Sequence, residues 1–427
     1  MIINIITLGC SKNVVDSEHL LYQFRINGLE VIHGETEKPA DIVIINTCGF
    51  ILDAREESID TVLYYTERKK KGYVKKLLVM GCLSQRYEAE LRKELPEVDG
   101  FYGVWDWQRI IEDAGLTFFT DSLSNRVVTT PGHYAFLKIS EGCDRTCSFC
   151  SIPLIRGSQQ SLSIDNLLKE ARNLAGSGVR ELILIAQDLT NYGIDIYGKR
   201  KLPDLLKKLL EIMEFEWIRL HYAYPAGFPE AVLEMMASEK RICNYLDVPI
   251  QHVNSRILKN MGRGYNRNSL EKLLFSIRSG IPDVAIRTTL LVGYPGETES
   301  EFEELIDFIS DFRFDRLGVF PYSHEEGTRS FLRKDDVPEK VKKQRCDLLM
   351  DLQQEISLNL NCEKIGKTFR VLIDHADSGF YAGRTQYDSP EIDQEVLITR
   401  ERELKTGDFY AVKITEADMF DLHGEIV

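Results

Sequence analysis

No stretch of the 427-residue sequence carries about 18 consecutive apolar residues, which excludes a hydrophobic helix of membrane-spanning length. A cationic excess is missing too: 53 Lys and Arg stand against 67 Asp and Glu, for a formal net charge of −14. A generic nucleic-acid binder draws its affinity from neutralised phosphates, so this balance argues against that class while leaving room for a local basic patch. The opening Met1-Ile2-Ile3-Asn4-Ile5-Ile6 has neither the basic region nor the cleavage pattern of a secretory signal, and a soluble cytoplasmic protein is expected. In that compartment nine cysteines point to metal ligands or reactive thiols rather than disulfides.

The most informative absence is a fourth cysteine. Cys143, Cys147 and Cys150 form a C-x3-C-x2-C run just after the strand-like segment Tyr134 to Ser140, and no cysteine follows until Cys243. A 4Fe-4S cubane needs four ligands for full coordination, so a cluster held here leaves one iron open to an exogenous group. An open iron beside a sulfonium cofactor can pass an electron into it, chemistry that belongs to cofactors rather than side chains. Zinc and inert buried thiols are the competing readings. Zinc prefers four protein ligands, usually in separated pairs, and the nearest upstream histidine, His133, lies beyond the strand.

Residues 1 to about 120 alternate strands and helices in the manner of an open, mostly parallel α/β sheet. Ile2 to Leu8 runs into Gly9-Cys10, Asp41 to Asn46 into Thr47-Cys48-Gly49, and Lys76 to Met80 into Gly81-Cys82. Helices are expected after each, near Val14 to Asn27, Ile51 to Lys70 and Ser84 to Leu95. Ligands of open α/β sheets bind outside the carboxyl ends of the strands, so three thiols from three strands could converge there. Cysteine is also a common buried residue, and core packing is the alternative for each one singly.

The run Cys143 to Cys150, with the aromatic Phe149 before its last cysteine, resembles the signature of the radical S-adenosylmethionine (SAM) superfamily. Leu8-Gly9-Cys10-Ser11-Lys12-Asn13 with Asp16-Ser17-Glu18, Ile45-Asn46-Thr47-Cys48-Gly49-Phe50, and Gly81-Cys82-Leu83-Ser84-Gln85-Arg86-Tyr87 are similar to the amino-terminal domain of the methylthiotransferases. The likeness continues through Ser140 to Arg145, Ile152 to Gly157 and Ala186-Gln187-Asp188, covers nearly the whole chain, and is strongest to the branch that modifies an aspartate of ribosomal protein uS12. A tRNA-modifying methylthiotransferase is the alternative. The resemblance implies two 4Fe-4S clusters, one on Cys143, Cys147 and Cys150 and one on Cys10, Cys48 and Cys82. It further implies SAM cleaved to a radical at the first, a methylthio unit delivered from the second, and an external electron donor. One departure stands out: Leu162 occupies a position where relatives usually carry arginine, while Arg156 is retained.

After a Ser-, Asn-, Thr-, Pro- and Gly-containing linker at 121–133, strands are expected near 134–140, 181–186, 216–221, 245–250, 285–292 and 315–320, with amphipathic segments between them. Six βα units are fewer than the eight of a closed barrel, and a partial (βα)6 barrel is the economical reading. Gln187 and Asp188 follow its second strand, Asp247, Gln251 and His252 surround the fourth, and Thr289, Gly293, Gly296 and Glu297 surround the fifth. Phe149, Gln187, Asp188, Asp247, Gln251, Thr289, Gly293 and Glu297 are the candidate SAM contacts. The glycines are included because main chain without a side chain can approach a ligand. Val337 to Cys362 reads as one long helix leading out of the barrel, and Cys243, Cys346 and Cys362 as inert.

Residues 364 to 427 read as a small β-barrel, with strands at Thr368 to Ile373, Phe380 to Thr385, Glu395 to Ile398 and Phe409 to Glu416. The segment Gly379-x-x-x-Gly383-Arg384-Thr385 resembles a TRAM domain. The expected domains are 1–120, 129–360 and 363–427. The last module holds eight Lys and Arg against thirteen Asp and Glu, which disfavours RNA and suits a basic ribosomal protein. Charge reversal at Asp388, Glu391 and Asp393 is expected to weaken that docking unless these residues lie on the face turned away from the partner.

Overall fold

The computed structural model describes residues 1–427. Strands β1 (Ile2–Thr7), β2 (Glu30–His33), β3 (Ala40–Thr47), β4 (Val74–Gly81) and β5 (Gly100–Phe101) form an all-parallel sheet in the order β2-β1-β3-β4-β5. The central strands read as nearly unbroken apolar runs because both faces are covered. Ile6, Val43, Ile45, Leu77 and Val79 pack on one side, and Ile3, Ile5, Ile42, Ile44, Leu78 and Met80 on the other. Helix α1 (Ser11–Ile26) follows β1, α2 (Leu52–Lys70) follows β3, and α3 (Cys82–Glu94) follows β4. The strand order reverses direction at β1 and β3, so the crevice of this sheet opens where Cys10 and Cys48 emerge.

A second parallel sheet contains β6 (Tyr134–Lys138). A short ribbon, β7 (Ser140–Glu141) with β8 (Gln160–Ser161), brackets the Cys143–Cys150 loop. The sheet continues with β9 (Glu181–Ile185), β10 (Trp217–Leu220), β11 (Ile242–Asp247), β12 (Ala285–Val292) and β13 (Arg316–Pro321), in the order β13-β12-β11-β10-β9-β6. This is the six-stranded partial barrel. Its fourth strand lies a few residues earlier than expected, because the chain turns away at Val248-Pro249-Ile250 and Gln251 is left-handed, with φ 67°.

The helix Glu339–Cys362 does not lead away from the barrel. It lies along β13, where Gln353 Nε2 donates to Phe314 O at 2.9 Å. Nor is 121–133 a loose tether: Arg126 is buried against Glu18 and Glu170, and Thr129 donates from its backbone to Glu18.

The last strands, β14 (Thr368–Ala376), β15 (Phe380–Arg384), β16 (Val396–Thr399), β17 (Phe409–Ala417) and β18 (Leu422–Ile426), close into a five-stranded barrel. Its acids correct the docking expectation. Asp388 is fully buried against Arg316, Asp393 lies 3.4 Å from Arg287, and Glu391 accepts from Tyr134 Oη at 2.9 Å. All three face the partial barrel, so they bind this module to its own chain and are not a face for a cationic partner. The same seam holds Glu181, which accepts from Arg219 and Arg384 at 2.7 and 2.8 Å, and Trp217 edge-on to Phe409. Exposed acids remain elsewhere on the module, at Glu401, Glu403, Glu416, Asp418 and Glu425.

Candidate active site between two thiol triads

Each amino-terminal cysteine has a glycine beside it, and the structure shows why. A Cβ on Gly9 would stand 2.8 Å from Cys48 Cβ, one on Gly49 2.7 Å from Leu83 Cα, and one on Gly81 2.5 Å from Asn46 Oδ1. The three loops therefore press on one another at the strand ends, and only bare backbone allows it. Asn13 ties them together, donating to Leu8 O at 2.7 Å and Thr47 O at 3.2 Å. Cys10 is exposed, Cys48 half-buried and Cys82 buried. Burial raises the Cys82 thiol to about 11, with the Cys10 and Cys48 charges adding to the rise.

The central triad is held in the same manner. Gly142 has φ 70°, and a Cβ there would lie 2.1 Å from Ser158 O. Farther along the loop, Ser148 N–H donates to Met261 O at 2.8 Å, and a Cβ on Gly262 would stand 2.6 Å from Thr146 O. Two donors already point at sulfur: Arg145 N–H to Cys143 at 3.4 Å and Arg263 Nη1 to Cys147 at 3.3 Å. Burial raises Cys143 to about 11 and Cys150 to about 12. Thiols so protonated become thiolate ligands when a metal displaces the proton.

No three His, Cys, Asp or Glu side chains close around a single metal ion. A cubane takes its thiolates on separate irons and so needs them held wider apart than one ion does. Two sets of three soft thiols, each gathered on glycine-rich turns with N–H groups directed at the central set, fit such clusters. Cys243 is buried in β11, and Cys346 and Cys362 belong to the long helix, away from both sets.

The candidate SAM contacts divide. Gln187 lies two residues past the end of β9 and Asp247 ends β11, and each keeps one buried oxygen without a hydrogen bond, Gln187 Oε1 and Asp247 Oδ1; the latter is 3.6 Å from Arg287. Gln251 and Thr289 are joined by backbone, Gln251 N–H to Thr289 O at 2.8 Å. Phe149 packs against Ile257, Met261 and Tyr294. Asp188 is already engaged, by Thr190 and by Arg145 at 2.7 Å. Gly293 and Glu297 are turned to the long helix: a Cβ on Gly293 would strike Lys342 Cγ, and Glu297 accepts from Tyr294 N–H and Arg345. The missing side chain of Gly293 makes room for the Lys342 stem.

A buried polar network absent from the sequence reading joins the triads. Arg156 donates to Glu141 at 2.6 Å, Asp16 at 3.3 Å and Asn13 at 2.5 Å. Lys138 binds Asp16 and Glu141, and Gln187 donates to Glu141 at 2.7 Å. Burial alone would raise the Glu141 carboxyl, but Lys138 and Arg156 hold it well below the usual carboxylate range. On the other flank Glu325 accepts from Arg55 and Arg86, both at 2.8 Å. A signal was present: α1 carries Lys12, Asn13, Asp16, Ser17 and Glu18 at buried positions, where an ordinary amphipathic helix has apolar residues.

A partial (βα)6 barrel with a three-cysteine loop at its mouth defines a radical SAM protein, and residues 137–309 match the Radical SAM superfamily. Residues 365–427 match the TRAM domain, and residues 2–103 the Uncharacterized protein family UPF0004. Among relatives, "Ribosomal protein uS12 methylthiotransferase RimO" of Flavobacterium psychrophilum is 53% identical over 99% of this chain and 97% of its own. The protein of that name from Parabacteroides distasonis is 50% identical over 100% and 99%. The chain belongs to the RimO family of radical SAM methylthiotransferases. Fold alone is shared with the radical SAM methyltransferase TsrM of Kitasatospora setae, at TM-score 0.52 and 14% identity over 74% of this chain and 72% of that one. Radical SAM membership brings SAM and a 4Fe-4S cluster as cofactors. No helix is long and apolar enough to cross a membrane.

Proposed function

We propose that the chain places a methylthio group on the β-carbon of an aspartate of ribosomal protein uS12. Residues 1–120, 129–360 and 363–427 act as its sulfur-delivering, SAM-cleaving and TRAM units. The observation that carries this reading is the pair of thiol triads, from different sheets, meeting across Arg156 in a chain that matches uS12 methylthiotransferases end to end. Cys143, Cys147 and Cys150 would hold one 4Fe-4S cluster, and Cys10, Cys48 and Cys82 a second. With both bound, an external reductant and a sulfur source, the site gains one-electron cleavage of SAM and carriage of a methylthio group.

The chain's own groups prepare that chemistry. Arg263 and the Arg145 N–H stabilise thiolate charge in the central loop. The unpartnered oxygens of Gln187 and Asp247 offer acceptors at the barrel mouth. Arg156 and Glu325 fix the distance between the triads from opposite flanks. The test offers the anaerobically reconstituted enzyme recombinant uS12 and, in parallel, an isopentenyladenosine-containing tRNA, and reads both by mass spectrometry. A methylthio gain on uS12 alone is expected; a gain on the tRNA with none on uS12 overturns the reading.

A further inference from the structure

Three lysines are buried, and two of them carry carboxylates: Lys138 has Asp16 and Glu141, and Lys342 has Asp335 and Glu339. Lys12 is the exception. It is 7% exposed, and its ammonium, which still reaches solvent, makes no hydrogen bond and has no carboxylate within 4.0 Å. Its position disfavours a bare positive charge. Lys12 lies in the first turn of α1, which contains no acidic residue, so the positive end of the helix dipole repels it.

What Lys12 touches is the barrel mouth. Its Nζ stands 3.2 Å from the centroid of the Tyr222 ring, just past the end of β10. Tyr222 is itself strained, with φ 63°, a conformation unfavourable for an aromatic residue. It is held there by its N–H to Asp247 Oδ2 at 3.1 Å and by its carbonyl, which accepts from Leu189 N–H. Strain of this kind persists where surrounding structure over-determines it, and it concentrates at ligand sites. Of the charges nearby, Asp247 acts on Lys12 from beyond ion-pair distance. Asp247 accepts from Tyr222 with Oδ2 and turns Oδ1 toward Arg287 at 3.6 Å, while His221 bonds Ser389 and is held neutral by burial and by Arg219. The result is a cation two residues from Cys10, directed across the gap to the barrel, with no carboxylate in direct contact.

We propose that Lys12 receives the side-chain carboxylate of the substrate aspartate and thereby selects an acidic residue over its amide. This rests on the protein-substrate reading above. A carboxylate seated on the ammonium leaves the attached β-carbon one bond away, in the gap between the triads. The first-turn N–H groups of α1 and the Tyr222 ring edge suit the same anion. SAM is the other source of a carboxylate in this gap, and the two are separable by experiment.

Fluorescence anisotropy of labelled uS12 on the full-length, anaerobically reconstituted enzyme provides the test, with uS12 native or carrying Asn at the modified aspartate. Wild-type enzyme should bind the native form roughly ten- to a hundredfold more tightly, the range for a hydrogen bond to a charged group. Lys12→Met should bind both forms alike, at the affinity of wild type for the Asn form, while Lys12→Arg should keep most of the preference. Lys12→Gln should behave as Lys12→Met, and iron content with near-ultraviolet circular dichroism identifies any variant that fails to assemble. A preference kept by Lys12→Met and Lys12→Gln overturns the assignment. So does a fall in their SAM affinity, measured by equilibrium dialysis, with the preference unchanged, since Lys12 would then serve the cofactor. If wild type binds neither form of uS12, the substrate reading itself fails and takes this proposal with it.

Discussion

Replacing Arg156 by Met tests whether the two triads are held together by one buried cation. Arg156 is 2% exposed and reaches Glu141, Asp16 and Asn13 at once. Removing one partner of a buried ion pair typically costs about 3–5 kcal/mol, because the remaining charge stays buried. Here Lys138 remains beside both carboxylates, which places the loss near the low end, about 3 kcal/mol, or roughly a hundredfold in the unfolding equilibrium. Trp107 supplies the probe: it stacks on His19 of α1, and Lys138 lies 5.7 Å from its ring centroid, so its emission reads this seam. Urea unfolding of metal-free, reduced protein in a Trp105→Phe, Trp217→Phe background should show the Trp107 transition shifted by that amount. Reconstituted Arg156→Met should lose iron from the amino-terminal set, where Asn13 loses its anchor, while retaining the central set. Arg156→Lys should recover only part of the loss, since a single ammonium cannot span the acceptors that a guanidinium fork reaches. A shift below about 1 kcal/mol with full iron would refute the reasoning.

Two further outcomes follow from the same geometry. Changing Cys10, Cys48 and Cys82 together to Ala should halve the iron of reconstituted protein, from about eight to about four atoms per chain, and abolish methylthio product while reductive SAM cleavage stays measurable; full iron in that variant would contradict the second cluster. The seam between the small barrel and the partial barrel should open in acid. Burial opposes ionisation of Glu181, Asp374 and Asp388, yet Arg384, Arg219 and Arg316 hold all three below the usual carboxylate range. Because the folded values are depressed, this stabilisation is complete above the unfolded values near pH 4 and is lost as pH falls through the folded ones. Trp217 emission and proteolysis near Glu363–Lys367 should change only below about pH 4, and a seam that opens at higher pH, or stays closed once all three carboxylates are protonated, would exclude the mechanism.

How much of this was legible follows from where each signal resides. β1, β3 and β4 could be read because both faces are apolar, and the cysteine at each strand end had a glycine beside it for a steric reason the structure makes explicit. β2 was missed because Glu30–His33 is a half-exposed edge strand, and β18 because Leu422–Ile426 contains His, Gly and Glu. Asp388 and Asp393 misled because an acid in a polar segment looks solvated until its arginine arrives from some 70 residues away in one case and over 100 in the other. At Gly293 and Glu297 the sequence hid a contact of another kind, with the helix Glu339–Cys362, because Lys342 and Arg345 come from some 50 residues away. Arg156 could be noticed in sequence but its role could not, since Glu141, Asp16 and Asn13 meet it only after two sheets pack together.

Helix α1 shows why the two halves of the site cannot be understood apart. Its N-cap is Cys10, its first turn carries Lys12 and Asn13, and the next turn carries Asp16. The first two turns thus present a thiol, a cation, the amide that ties the cysteine loops, and the carboxylate shared by Lys138 and Arg156. Any rotation of the amino-terminal sheet relative to the barrel would move all four together. It would also have to break the buried ion pairs of Asp16 and the flanking pairs of Glu325, each several kcal/mol to disrupt in a desolvated setting. The gap between the triads is therefore set by folding rather than by substrate. What remains adjustable is what enters it, and the ammonium of Lys12, over the ring of strained Tyr222, is the charge there with no carboxylate in direct contact.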